Sequence, residues 1–133
     1  MQNFSLLFTS FAVLIGLFIL HLVGSFFYLY WSIGWYDTLA HLIGGVFVGL
    51  FALWVFWDSG LWNKQRPSQT SAFLTAVLVT VVVGVGWEIF EYVYGLTQST
   101  EGYGLDTVTD LIADIVGGTL AGIWGTKKIF YAS

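Results

Sequence analysis

Seven carboxyl and imidazole side chains recur at spacings that would place them together on helix faces. Residues three or four apart in sequence lie on the same face of an α-helix. Three separate segments would therefore each present one polar face. This set, called the polar cluster below, comprises Asp37 and His41, then Glu88 and Glu91, then Asp106, Asp110 and Asp114.

The polar cluster has the ligand types of a metal site. Carboxylate oxygens suit Mg²⁺, Ca²⁺ or Mn²⁺, and an added imidazole admits Zn²⁺ or iron. We predict a divalent metal ion (Zn, Mg, Mn or Ca) and assign Glu91 as a further ligand or as general base toward a metal-bound water. The alternative is a hydrogen-bonded polar layer that only fixes helix register. The predicted metal ligands are His41, Glu88, Asp110 and Asp114, and the predicted secondary polar group is Asp37, Asp106 and His21.

Cysteine is absent from the sequence. There is accordingly no disulfide framework, and any metal must be held by oxygen and nitrogen ligands.

The elements that would carry these residues are membrane-spanning helices. Of the 133 residues 57% are hydrophobic and only 9% are charged, whereas soluble domains contain about 25% charged residues. A spanning helix needs about 20 mostly apolar residues. The sequence therefore predicts an all-α integral membrane four-helix bundle forming a single transmembrane domain over 1–133. The four predicted helices cover about 6–30, 37–56, 72–95 and 106–125.

The basic residues predict the orientation of the bundle. All four lie in the second connection or after the last span, at Lys64, Arg66, Lys127 and Lys128. By the positive-inside rule this side is cytoplasmic, as are both termini. We expect a multi-pass protein of the cell (inner) membrane whose polar cluster faces the extracytoplasmic side. Asp58 is the one acid predicted on the inner side, and Glu101 joins the outer acids.

Burial of this many acids has an electrostatic consequence. A carboxylate at the centre of a spanning helix costs at least about 2.5–3.5 kcal/mol, and no lysine or arginine falls in the outer half. Mutual repulsion makes a fully ionised cluster untenable. The cluster must be protonated, hydrated from outside, or neutralised by a bound cation.

Small residues follow the polar faces on two of the helices. Gly45-x-x-x-Gly49 and Gly118-x-x-x-Gly122 are patterns that let helix backbones approach closely. We predict tight packing, with a homo-oligomer through the glycine-rich faces as a candidate partner interaction.

An internal duplication is a further hypothesis. Aligning 37–45 with 106–114 matches Asp, Thr, Leu and Ile and puts His41 opposite Asp110. Two helical hairpins of like orientation would form a parallel repeat about an axis along the membrane normal. The alternative is chance recurrence of common residues in an apolar sequence.

The series Asp37-x-x-x-His41, Glu88-x-x-Glu91 and Asp106-x-x-x-Asp110 resembles the YjdF-like inner-membrane proteins of bacteria over about 36–122. These carry similar Asp-Lys-x-x-His, Glu-x-x-Glu and Asp-x-x-x-Asp elements. A looser resemblance is to the VanZ-like membrane proteins, whose Asp-x-x-x-Asn and glycines would fall on 110–118. Thr38 stands where the YjdF-like pattern has lysine, and segment 97–105 lacks the arginine typical of VanZ-like chains. Both departures remove basic groups that could meet an anionic substrate, which argues against any phosphate-handling function, and the resemblance implies no particular reaction.

Three functions remain open from the sequence. The first is a metal-dependent membrane hydrolase of a lipid-linked or envelope substrate. The second is an ion- or proton-coupled carrier that uses the acids as a relay, although the inner half offers mainly glycine and apolar side chains. The third is a non-catalytic binding or assembly subunit. Membrane lipid is the expected partner, and no nucleic acid is expected.

Overall fold

The structure is a computed structural model that describes residues 4–62, 65–96 and 102–131. Every regular element in those ranges is helical, and four helices are long and apolar enough to cross a membrane. The predicted all-α architecture with four spans is confirmed. Two residues named above, Lys64 and Glu101, lie outside the described residues. The elements are α1 (Phe4–Phe26), α2 (Leu29–Ser32), α3 (Tyr36–Leu53) continued by a π-helical turn (Trp54–Asp58), α4 (Gln69–Tyr94) and α5 (Tyr103–Tyr131).

The first helix ends earlier than the sequence predicts. The chain reverses at Tyr28, whose φ of 55° lies in the left-handed region, and α2 follows the reversal. A helix continued to residue 30 would carry Tyr30 away from Tyr36, and the reversal instead brings these rings to a centroid distance of 5.0 Å. Gly24 leaves room for them, since a Cβ there would meet both rings.

The last two spanning helices are longer than predicted. Helix α4 begins at Gln69 because the Ser68 side chain caps it by accepting a hydrogen bond from the Ser71 amide at 3.0 Å. Such a cap satisfies one of the amides that a helix N-terminus leaves free. Helix α5 continues to Tyr131, beyond the end predicted at about residue 125. It is the least apolar of the four spans.

Helices α3 and α5 run parallel and form the most extensive contact of the structure. A Cβ built at Gly45 would meet the backbone of Asp114, and one at Gly49 would lie 3.4 Å from the Cα of Gly118. The sequence offset that aligns 37–45 with 106–114 thus also relates neighbouring residues of α3 and α5 in the structure. The glycines pack tightly, as predicted, and the parallel, in-register pair is the arrangement that a duplicated hairpin would have.

Helix α4 packs antiparallel against α5, and α1 packs antiparallel against α3. Along the first interface, Gly84 faces Asp114 and Thr80 faces Gly118. Helix α1 makes no substantial contact with α4 or α5 in the described ranges. Three helices, α3, α4 and α5, therefore share one interior, and α1 lies beside α3.

Apolar and polar interiors are separated along the bundle. The buried hydrophobic cluster lies toward the end of the bundle where the described chain begins. The polar cluster occupies the opposite half, where α3 and α5 begin and α4 ends. The large apolar side chains on the outside of the helices are exposed, as lipid-facing surfaces require. The buried hydrophobic cluster consists of Leu6, Leu50, Leu53, Ala72, Ala76 and Ala121.

Replacement of Gly117 by valine tests the close approach of α3 and α5. A Cβ at Gly117 would overlap the Leu42 carbonyl oxygen and lie 2.8 Å from the Val46 amide nitrogen. Because backbone atoms cannot rotate away, we expect Gly117→Val to lower the free energy of unfolding by about 1–3 kcal/mol, measured by thermal unfolding in detergent. Gly86→Val is the matched control, since a Cβ at Gly86 meets nothing within 4 Å. Equal destabilisation by both variants would contradict the interface.

Candidate metal centre

The centre is built around His41 of α3. The imidazole is 8% exposed, and three carboxyl groups around it are also buried: Glu88 of α4 at 4%, and Asp110 and Asp114 of α5 at 0% and 5%. All four predicted metal ligands therefore meet in the interior shared by α3, α4 and α5. Whether they bind a metal stays a prediction.

Asp114 holds one side of the imidazole. The Nδ1 atom of His41 lies 3.3 Å from both carboxylate oxygens of Asp114. Asp114 itself is confined, because its carboxylate packs against Gly84 and its backbone against Gly45. A carboxylate accepts hydrogen bonds, so this contact favours the tautomer in which Nδ1–H donates and Nε2 carries a lone pair.

The other side of the imidazole faces two buried oxygens. Nε2 of His41 lies 3.9 Å from Oε1 of Glu88 and 3.9 Å from Oδ2 of Asp110. Neither oxygen has a hydrogen-bond partner among the described residues. Separations of 3.9 Å are too long for hydrogen bonds. Nε2 therefore lies beside both oxygens without a hydrogen bond to either.

Two overlapping sets of three ligand atoms meet at His41. Asp37, His41 and Asp110 form one set, and His41, Glu88 and Glu91 form the other, with the atoms of each set within 4.8 Å of one another. Asp37 and Glu91 are only half-buried, so they lie on the open side of the centre. The structure thus brings Asp37, predicted as secondary, next to the predicted ligands, and it places Glu91 where a ligand or a base toward bound water could act.

Thr38 is a contributor that the sequence did not predict. Its hydroxyl donates a 3.1 Å hydrogen bond to Oδ1 of Asp110, which leaves Oδ2 as the free oxygen of that carboxylate. The only sequence signal was that Thr38 replaces the lysine of the YjdF-like pattern. The replacement falls on a residue in contact with the centre.

The remaining predicted residues lie apart from the imidazole. Asp106 is half-buried in the first turn of α5 and close enough to Asp37 and Glu88 to interact electrostatically with both. His21 is exposed on α1, and its Nδ1 lies 3.0 Å from the hydroxyl of Tyr30. The predicted secondary group is therefore divided: Asp37 belongs to the centre, Asp106 lies near it, and His21 lies outside.

Beneath the centre the interior is closed by close packing. The hydroxyl of Thr80 donates to the Ala76 carbonyl at 2.8 Å and to the Gly45 carbonyl at 3.4 Å. Its side chain also fills the space beside Gly118 and Gly49. Thr80 is thus hydrogen-bonded and closely packed, and it lies between the centre and the apolar half of the bundle.

Comparison with known protein families gives a match over nearly the whole chain. The model of a family described as "Predicted membrane protein (DUF2238)" matches residues 2–129. No curated protein and no solved structure matches the chain. The match supports a membrane protein family, while the specific YjdF-like and VanZ-like resemblances stay predictions.

Removal of the Thr38 hydroxyl tests whether it supports the Asp110 carboxylate. Thr38→Val leaves Oδ1 of a fully buried group without its donor, which costs about 1–3 kcal/mol. We expect a corresponding loss of stability in thermal unfolding in detergent. Thr109→Val is the matched control, because the Thr109 hydroxyl donates only to backbone carbonyls of its own helix and its loss should cost about 0.5 kcal/mol or less. A Thr38 variant no less stable than the Thr109 variant would refute this role.

Proposed function

We propose that this chain, which belongs to the DUF2238 family of predicted membrane proteins, binds a divalent cation at His41 and the carboxyl groups around it. In this proposal the cation serves a metal-dependent hydrolase that acts on a lipid-linked or envelope substrate. The protein lies in the cell membrane, and its centre faces the extracytoplasmic side.

One observation carries the proposal. His41 Nε2 lies 3.9 Å from Glu88 Oε1 and 3.9 Å from Asp110 Oδ2, and the two buried oxygens have no hydrogen-bond partner among the described residues. Unsatisfied buried polar groups are costly. A metal such as zinc, bonded at about 2.0–2.2 Å to Nε2 and to one of these oxygens, would span the 3.9 Å separation between the two atoms and satisfy that oxygen.

The charge balance supports the same conclusion. The described acids of the centre contact no lysine or arginine, and every ion pair among the described residues involves His41. A divalent cation would neutralise part of this charge at the point where the acids are closest. Protons alone would reduce the repulsion, but they would leave two oxygens and Nε2 too far apart to share them by hydrogen bonds.

Asp114 fits the role of a positioning residue. Histidines that bind metals usually donate the other ring N–H to a carboxylate, which fixes the tautomer and the ring orientation. The contact between His41 Nδ1 and Asp114 at 3.3 Å has this form. The earlier prediction of Asp114 as a direct ligand stays untested, and we favour its action through His41.

Glu91 fits the role of general base in the proposed hydrolysis. It lies in the set of His41 and Glu88 and is half-buried on the open side. A bound cation would make a water more acidic, and Glu91 would accept the proton of that water during hydrolysis of the substrate. A carrier function is less well supported, because Thr80 and the glycines around it pack closely between the centre and the apolar half of the bundle.

A homo-oligomer through glycine faces stays a prediction. Gly45, Gly49 and Gly118 are covered by contacts within the chain. An oligomer contact would have to use other helical glycines, such as Gly16 and Gly86, where nothing lies within 4 Å.

Metal content tests the cation site directly. Wild-type protein purified in detergent without chelator should contain a stoichiometric divalent metal by elemental analysis. The double variant Glu88→Gln, Asp110→Asn should lose it, because amides are weaker ligands and the variant removes two negative charges from the site. Asp58→Asn is the matched control, as Asp58 lies in the π-helical turn at the other end of α3.

Two results would count against the site. Equal metal in the wild type and the double variant would place any bound ion elsewhere. Metal-free wild-type protein whose thermal stability is unchanged by chelator and by added Zn²⁺, Mg²⁺, Mn²⁺ or Ca²⁺ would remove the cation altogether, since a ligand that binds the folded state must stabilise it.

The hydrolase proposal has its own test. Metal-loaded protein incubated with total bacterial membrane lipids should release a water-soluble headgroup or its fragment, detected by mass spectrometry. Glu91→Gln should retain the metal and reduce product formation by about 10²–10⁴-fold, the usual contribution of a general base. No product from the wild type, or equal product from the Glu91 variant, would refute hydrolysis with Glu91 as base.

A further inference from the structure

A groove opens between the beginning of α4 and the last turns of α5, at the end of the bundle opposite to His41. Its volume is about 420 Å³, and pockets that hold small ligands have volumes of about 300–1,000 Å³. The groove is called the basic groove below. Its lining includes Gln69, Thr70 and Phe73 of α4 and Ile123, Lys127 and Tyr131 of α5.

The basic groove lies at the depth of lipid headgroups. Helix α5 has 29 residues, which at about 1.5 Å per residue gives a length of about 43 Å. The hydrocarbon core of a bilayer is only about 30 Å thick. The ends of α5 therefore reach the headgroup region, and Lys127 and Tyr131 lie in its last two turns.

The apolar part of the lining continues toward the middle of the membrane. Phe73 packs against α5 at Gly122, where a Cβ would come within 2.8 Å of the phenyl ring. Ile123 is exposed beside it, and the exposed Leu120 and Val116 precede Ile123 on the same face of α5. These three side chains form an apolar strip on which an acyl chain would lie.

Three polar groups of the basic groove are available to a ligand. Lys127 is exposed and pairs with no described acid. The Thr70 hydroxyl has no hydrogen-bond partner within the described ranges, because the carbonyls three and four residues earlier lie outside α4. The Tyr131 hydroxyl accepts a 2.9 Å hydrogen bond from Gln69, and its own proton remains to donate.

The charge at this end of the chain favours an anion. All four lysines and arginines fall between α3 and α4 or in the last turns of α5, together with only one of the eight acids, Asp58. The two neighbouring lysines of α5 differ in direction. Lys127 lines the basic groove, whereas Nζ of Lys128 lies 5.1 Å from the centroid of the Trp124 ring.

We propose that the basic groove binds the headgroup of an anionic phospholipid, such as phosphatidylglycerol, from the leaflet at this end of the bundle. Lys127 pairs with the phosphate, the hydroxyls of Thr70 and Tyr131 donate to its oxygens, and an acyl chain lies on the apolar strip of α5. Basic pockets between spanning helices are suited to such headgroups. The site is separate from the centre at His41 and needs no cation there.

Retention of defined lipids tests the basic groove. The full chain in detergent is mixed with phosphatidylglycerol or phosphatidylethanolamine of identical acyl chains, and bound lipid is counted by native mass spectrometry. We expect preferential binding of phosphatidylglycerol. Lys127→Met and Thr70→Val should each weaken it about fivefold, through loss of one charge or one hydrogen bond. Neither variant removes an ion pair or a hydrogen bond within the described ranges, so both should unfold at the wild-type temperature.

Lys128→Met is the matched control. It removes the same charge one residue further along α5, from a side chain that lies over Trp124, and it should bind phosphatidylglycerol nearly as the wild type does. Equal weakening by the two lysine variants would overturn the proposal, because the lipid would then respond only to the total charge. Equal retention of the two lipids by the wild type would overturn it as well.

Soluble anions distinguish a lipid headgroup from free phosphate. Inorganic phosphate and glycerol phosphate lack the acyl chain that the apolar strip would hold. We expect them neither to displace phosphatidylglycerol nor to raise the unfolding temperature, as a bound ligand would. Displacement of the lipid by either anion at an equal concentration would refute the lipid as occupant and identify a site for soluble phosphate.

Discussion

The structure depends on the burial of three carboxyl groups around one imidazole in a part of the membrane span that has no lysine or arginine. Glu88, Asp110 and Asp114 are each at most 5% exposed and His41 is 8% exposed. Such an arrangement is unstable unless positive charge or protons offset the repulsion. The three buried acids differ in how their charge is offset. Asp114 is satisfied by the imidazole itself, while Glu88 and Asp110 each leave one buried oxygen facing Nε2.

Close helix approach makes this burial possible. Gly45 and Gly84 have no side chain at the two places where Asp114 packs in the interior. One aspartate can therefore contact both neighbouring helices. Below it, Thr80 packs against Gly49 and Gly118. The glycine faces thus determine where the acids lie, and they separate a polar half from an apolar half of the same bundle.

Much of this could be predicted from the sequence, because both helix period and membrane burial act on residue spacing. The i, i+4 spacings identified the residues that converge on His41, and the apolar stretches identified the four spans. The reversal at Tyr28 could not be predicted, since nothing local distinguishes Tyr28 from the aromatic residues before it. The division of roles between Asp110 and Asp114 was also hidden. It depends on crossing geometry at Gly45 and Gly84 and on the hydroxyl of Thr38, which are properties of the packed helices rather than of any one segment.

The low apolar content of α5 has a consequence for the biogenesis of the protein. This helix is the least apolar span and carries three aspartates, each costly by about 2.5–3.5 kcal/mol at mid-membrane. Alone in lipid it would gain little from insertion. Its partners α3 and α4 precede it in the chain and leave the ribosome first, so His41 and the glycine faces are already in the membrane when α5 emerges. The last helix is thus stabilised in the bilayer by the helices made before it, and assembly of the centre and completion of the topology become one event.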